Sequence, residues 1–138
     1  MNDLSIVIVD DDEHDYEFLS DILNEFSSPL NKVWLKDGEE VINYLDNLEK
    51  GKAQTSFKKV FFLDVNLPKI NGLELVKIIK NHYIAKEDYV IMLSGSKTKS
   101  DMETAKKNGS DCYLEKPFGK QQINEFSEFL YSKLSSLI

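Results

Sequence analysis

Four places in this chain set chemically reactive side chains directly after a short apolar run. Asp10-Asp11 follows residues 5–9, and Asp64 follows Val60-Phe61-Phe62-Leu63. Ser94-Gly95-Ser96 follows residues 89–93, and Lys116 follows residues 111–115. Carboxylates held within a few ångströms of one another repel, so one takes a proton or a cation neutralises them. A hard divalent ion with oxygen ligands suits such a group, and magnesium typically takes one or two carboxylates, keeps waters and binds a phosphate oxygen. No cluster of His or Cys accompanies the acids, so zinc or copper fits poorly. Lys116 adds a compact positive charge that can neutralise an oxygen of a phosphoryl group carried on a neighbouring carboxylate. Ser94 can donate a hydroxyl hydrogen bond to another such oxygen. Nucleophile, metal, cation and donor are thus the parts for phosphoryl transfer to a carboxylate. The residues do not by themselves choose the phosphoryl donor.

These groups lie more than a hundred positions apart, so the fold must collect them. Residues 5–9, Ser-Ile-Val-Ile-Val, form a β-branched apolar run that reads as a strand buried on both faces. A helix follows, with Tyr16, Leu19, Leu23 and Phe26 at helical spacing and Phe18 and Ile22 beside them, closed by Ser27-Ser28-Pro29. A second strand is expected over residues 32–36, a turn at Asp37-Gly38, and a helix from 39 to about 49 carrying Val41, Ile42 and Leu45. After a polar loop over 51–58 come a strand at 60–63, a loop over 66–72, and a helix over 73–81 facing inward with Leu75, Val76 and Ile79. A strand at 89–93, a polar helix over 98–108 capped by Gly109, a strand at 111–115 and a helix from 121 to about 135 complete the chain. The last helix keeps Ile123, Phe126, Leu130, Leu134 and Leu137 in register. Five strand-then-helix repeats imply an α/β fold, a five-stranded parallel sheet with helices on both faces. Parallel strands bring their carboxyl ends to one edge, where ligand sites of open α/β sheets lie. The order of the strands does not follow from the pattern.

Composition narrows the function classes. A length of 138 residues fits one domain, read here as 1–138 with no output domain behind it. The net charge of −7 sets an acidic field against nucleic-acid phosphates, so DNA or RNA binding is not expected. The lone Cys112 cannot form an intramolecular disulfide, which suits a reducing cytoplasm, and reads as a small buried hydrophobe. Neither a signal peptide nor a membrane span is visible. His14, beside the acids, reads as a solvated first-turn residue, and His82 as a helix-end residue. Trp34 reads as packing or a partner contact.

Four segments, IVIVDDDEHD, VFFLDVNLPKINGLEL, YVIMLSGS and DCYLEKPF, together resemble the receiver domains of two-component response regulators, in family order and over essentially the whole chain. The resemblance implies a flavodoxin-like, doubly wound (βα)5 fold. It makes Asp64 the phosphoacceptor and Asp10 and Asp11 the acidic pair that organises Mg2+, with Asp11 the direct ligand. Asn66 becomes the position whose backbone carbonyl contacts the metal. Ser94 becomes the hydroxyl that follows the phosphoryl group, in place of the commoner Thr, and Lys116 the lysine that pairs with it. Tyr113 becomes the aromatic switch residue, and the Lys116-Pro117 bond is expected to be cis. The implied partners are a sensor histidine kinase or histidine phosphotransfer protein and an unnamed downstream protein, with the chain a monomer or weak homodimer. The sequence is similar to stand-alone receivers of the cyanobacterial-phytochrome-partner type. Such a chain is no enzyme beyond its own phosphorylation and dephosphorylation.

Three other classes are weighed against this one. A haloacid-dehalogenase-type phosphatase also uses a strand-end aspartate and magnesium, but needs a second aspartate where this chain has Asn66. A receiver-like module that binds partners without phosphorylation would not need the acid pair, acceptor and lysine together. A flavodoxin-like electron carrier needs a Gly/Ser/Thr-rich phosphate loop after the first strand, where this chain places acids that repel a flavin phosphate.

Overall fold

The computed structural model describes residues 4–26, 30–51, 58–95, 97–117 and 119–137. Strands and helices alternate in chain order: β1 (Leu4–Val9), α1 (Glu13–Asn24), β2 (Leu30–Leu35), α2 (Gly38–Glu49), β3 (Lys58–Asp64), α3 (Gly72–Asn81), β4 (Tyr89–Ser94), α4 (Lys99–Lys107), β5 (Cys112–Glu115) and α5 (Lys120–Leu137). All neighbouring strands pair in parallel, in the order β2-β1-β3-β4-β5.

Strand alternation sends successive side chains to opposite faces of the sheet. Val7, Val9, Phe61, Leu63, Val90 and Met92 meet Val41, Leu45, Leu75, Val76, Ile79 and Ala105 on the face covered by α2, α3 and α4. Ile6, Ile8, Val60, Phe62, Ile91 and Leu93 meet Leu19, Ile22, Leu23, Phe126, Leu130 and Leu134 on the face covered by α1 and α5. Because both faces are covered, the inner strands read as continuous apolar runs rather than alternating ones.

Several boundaries differ from the sequence reading, each for a local reason. β2 starts at Leu30 because it pairs with the full length of β1, Leu4 opposite Leu30. It stops before Lys36 because the Lys36 N–H leaves the ladder and donates to the Glu40 carboxylate at 3.0 Å. β5 begins at Cys112, since the Asp111 carboxylate turns back to accept the Val90 N–H and pair with Lys80, both at 2.8 Å. α1 ends at Asn24, with the Glu25 N–H on the Ile22 and Leu23 carbonyls. The expected Ser27-Ser28-Pro29 stop, most of the 51–58 loop and Ser96 lie outside the described residues. The Lys116-Pro117 bond is not cis as expected: no described peptide bond is. Trans is the lower-energy isomer of such bonds by about 0.5–1 kcal/mol. Among the described residues, no helix is long and apolar enough to cross a membrane.

Candidate functional site

The order β2-β1-β3-β4-β5 makes β1 and β3 neighbours at the centre of the sheet, with Val9 opposite Leu63. The helices leaving these two strands go to opposite faces, α1 to one and α3 to the other. A crevice opens beyond the strand ends at such a switch point. Asp10 and Asp64 sit at its two sides, and both are buried.

The acidic loop holds itself in shape. The Asp10 carboxylate accepts the Asp12 N–H at 2.9 Å. Asp12 caps α1 by accepting the His14 and Asp15 N–H groups at 2.8 and 3.1 Å. These bonds hold its carboxyl below the ordinary range. Such a cap satisfies two of the N–H groups that the first turn of a helix leaves without a backbone partner. One carboxylate oxygen each from Asp10, Asp11 and Asp64 lies within 4.8 Å of the others. Three hard oxygens at that spacing fit a small divalent cation. Asp11 is exposed, Asp10 and Asp64 buried, so the group opens to solvent on one side only.

Lys116 reaches the same pocket from the end of β5. Its N–H donates to the Ser94 carbonyl at 2.7 Å, extending the β4–β5 ladder by one step. Its Nζ lies 2.8 Å from Asp15 Oδ2, 3.1 Å from Asp10 Oδ2 and 3.4 Å from Asp64 Oδ1. Burial pushes the Asp64 carboxyl up to about 6, against the pull of Lys116 and with the push of Asp10. Asp10 is raised too, by burial, despite the Asp12 N–H and Lys116. For Lys116 burial works the other way, but Asp15, Asp64 and Asp10 outweigh it and raise the ammonium. The pocket therefore holds a firmly protonated lysine beside a carboxylate whose charge is costly without further positive charge.

The β3–α3 loop is pressed close behind Asp64. Asn66 is exposed on its rim, its N–H 3.4 Å from Asp64 Oδ1. Gly72, the first residue of α3, donates to the Val65 carbonyl at 2.8 Å. A Cβ there would stand 2.1 Å from the Asp64 carbonyl oxygen, so only glycine lets α3 approach. Lys69 takes a left-handed φ of 67° and clasps Asp37 and Glu39 at the start of α2, at 3.3 and 2.8 Å.

Ser94 is buried at the end of β4, one residue beyond the Leu93 that faces Asp64 across the ladder. Tyr113 does not join the acids. It packs on the α2–α3–α4 side of the sheet, and its buried hydroxyl has no hydrogen-bond partner among the described residues. His14 is exposed. Cys112 is half-buried, and burial pushes its thiol up.

Sequence reasoning passed over Asp15 and Gly72, and read Trp34 only as packing or a partner contact. Asp15 makes the shortest of the ion pairs to Lys116; a carboxylate in the first helical turn after the acidic pair was its only signal. Trp34 donates from its indole N–H to the Asp10 carbonyl at 2.8 Å and stacks on Tyr16 with centroids 4.3 Å apart. Gly72 gave no sign beyond being a glycine after Asn71.

His82 lies near Asp46 and Glu49, its Nε2 at 3.5 and 3.4 Å from their oxygens. Its Nδ1 accepts the Ile84 N–H at 3.2 Å, so a neutral ring carries its proton on Nε2. That proton points at the carboxylates and leaves no lone pair there for a metal.

The sequence profile of the response regulator receiver domain family matches residues 6–127. The chain belongs to this family. The receiver is 30% identical to the chemotaxis protein CheY1 of Helicobacter pylori over 122 residues, 88% of this chain and 92% of that one. It is 33% identical to protein PilG of Pseudomonas aeruginosa over 89 residues, 64% of this chain and 66% of that one. Among solved structures it resembles the phosphorylated cyanobacterial phytochrome response regulator RcpA, with a TM-score of 0.76 and 26% identity. That match covers 93% of this receiver and 89% of RcpA. The Mn(2+)-bound response regulator Rcp1 shares the fold, with a TM-score of 0.79 at 22% identity over 93% of this receiver and 91% of Rcp1.

Proposed function

We propose that this receiver accepts a phosphoryl group on Asp64 from a phosphohistidine of a sensor histidine kinase or phosphotransfer protein. The observation that carries this reading is the convergence of Lys116 Nζ and the Asp10, Asp11 and Asp64 carboxylates in one pocket at the sheet's switch point. Asp10, Asp11, Asp64 and the Asn66 backbone carbonyl would hold Mg2+, which would supply the positive charge that the raised carboxylates call for and offset charge on the phosphoryl oxygens. The Asp64 carboxylate oxygen attacks phosphorus in line as the donor imidazole leaves. Lys116 balances one phosphoryl oxygen, and the Ser94 hydroxyl donates to another. A cavity of about 310 Å3 beside the pocket, lined by Phe18, Leu19 and Phe126 together with Asp10, Asp15 and Lys116, supports docking of the donor against α1 and α5.

The acyl phosphate then shifts a population of conformers rather than the fold. Ser94 and Lys116 close on the phosphoryl group, Tyr113 turns, and the face of α4, β5 and α5 changes its affinity for a downstream protein. The enclosed Tyr113 hydroxyl, without a hydrogen-bond partner among the described residues, supports this, since an alternative position that hydrogen-bonds it is worth about 1 kcal/mol. No external substrate is turned over: Asn66 stands where a phosphatase of the aspartate-nucleophile class needs an acid. The lone half-buried cysteine is in keeping with the cytoplasm.

The test is labelling by a small phosphodonor, such as acetyl phosphate, with Mg2+. The wild-type chain is expected to gain the mass of one phosphoryl group, released by hydroxylamine, and Asp64→Asn to gain none. Labelling that survives in Asp64→Asn, or never occurs in the wild type, overturns the assignment.

A further inference from the structure

The proposed reaction uses the acid pair, Asp64, Ser94 and Lys116, yet the ammonium of Lys116 lies nearest to none of the acids that reaction names. Its closest carboxylate is Asp15 Oδ2 at 2.8 Å, against 3.1 Å for Asp10 and 3.4 Å for Asp64. The backbone that presents Asp15 is fixed. Its N–H is bound by Asp12, and Asp12 is in turn bound by Asp10. The first turn of α1 is thereby tied to the same loop that presents the acid pair. Asp15 is half-exposed, its side chain at 46% accessibility against 22% for Lys116, so it sits at the mouth of the pocket and not on its floor.

Phosphorylation replaces the single charge of Asp64 with about two negative charges on three phosphoryl oxygens. One ammonium then faces both this group and Asp15. Lys116 is a flexible chain ending in three donors, able to swing between partners. We propose that Asp15 is a positioning residue that holds Lys116 while Asp64 is bare and competes for its ammonium once Asp64 carries a phosphoryl group. This rests on Asp64 being the phosphoacceptor. The aspartyl phosphate of this receiver is then held less tightly than Lys116 alone would hold it, and the unmodified state is favoured by an ion pair that modification must break.

The probe is beryllofluoride, which attaches to an acceptor carboxylate as a phosphoryl mimic, titrated with Mg2+ against the full chain and followed by NMR at the Asp64 amide. Asp15→Ala removes the competitor, and Asp15→Asn leaves only a neutral acceptor. Glu13→Gln removes the same charge from the same helical turn without touching Lys116. Since a partly exposed ion pair is worth up to about 1 kcal/mol, Asp15→Ala is expected to bind beryllofluoride about two- to fivefold more tightly than wild type. Asp15→Asn should fall between the two, and Glu13→Gln should match wild type. Equal affinity in Asp15→Ala and wild type, or an equal gain in Glu13→Gln, overturns the proposal, the second by showing a general charge effect. Failure of the wild type both to bind beryllofluoride and to be labelled overturns the assignment of Asp64 itself, and this inference with it.

Discussion

A carboxylate buried beside another carboxylate is a nucleophile in waiting, and Asp64 shows the cost. Its folded-state carboxyl titrates at about 6 rather than 3.8, chiefly through burial. The folded state thus binds this proton more tightly than the unfolded state does. The stabilisation is full below the ordinary value of 3.8 and is lost as pH rises through about 6. Metal-free Asp64→Asn escapes this loss. Urea unfolding above about pH 7 is expected to find it more stable than metal-free wild type, by up to about 3 kcal/mol, with the gap closing below about pH 4. A variant no more stable than wild type at neutral pH would show that Lys116 already balances the charge. The chemistry at this scale was legible because aspartates, a serine and a lysine directly after apolar strands have few structural uses in common. Asp15 was not legible, since its importance depends on where the Lys116 side chain ends, and sequence distance of 101 residues hides that.

At the scale of elements, the pocket depends on how closely α3 approaches the end of β3. Gly72 marks that approach, since an added Cβ would collide with backbone, the Asp64 carbonyl oxygen and Val65 Cα, and backbone cannot rotate away as a side chain can. Gly72→Ala is therefore expected to destabilise the domain by about 3 kcal/mol or more, read from chemical denaturation, and to slow labelling of whatever folded protein remains. A neutral effect would mean that the β3–α3 loop slides freely. The five strands and five helices were visible in the sequence because strands buried on both faces are apolar throughout, while amphipathic helices repeat every three to four residues. Ends were less visible. Asp111 looks like the first residue of a strand but acts as a turn, because its carboxylate captures Val90 N–H and Lys80.

For the whole molecule, two apolar layers lie on either side of one sheet, and the acidic pocket sits where the sheet ends and both layers stop. Strand order was invisible in the sequence, although β2 betrays its edge position by being only partly buried along most of its length. An ion that binds the folded pocket and not the open chain must raise the melting temperature. Mg2+ at a hundred times its dissociation constant is expected to add about 2.7 kcal/mol, reversed by a chelator and largely absent from Asp11→Asn. Unchanged melting with Mg2+ would refute the metal site. The chain contains a single tryptophan, and its ring nitrogen is bonded to the Asp10 carbonyl while its face lies on Tyr16. The protein thus carries its own optical reporter: ultraviolet emission from Trp34 should brighten or dim as ions enter the pocket, so occupancy can be followed in a cuvette without attaching a dye.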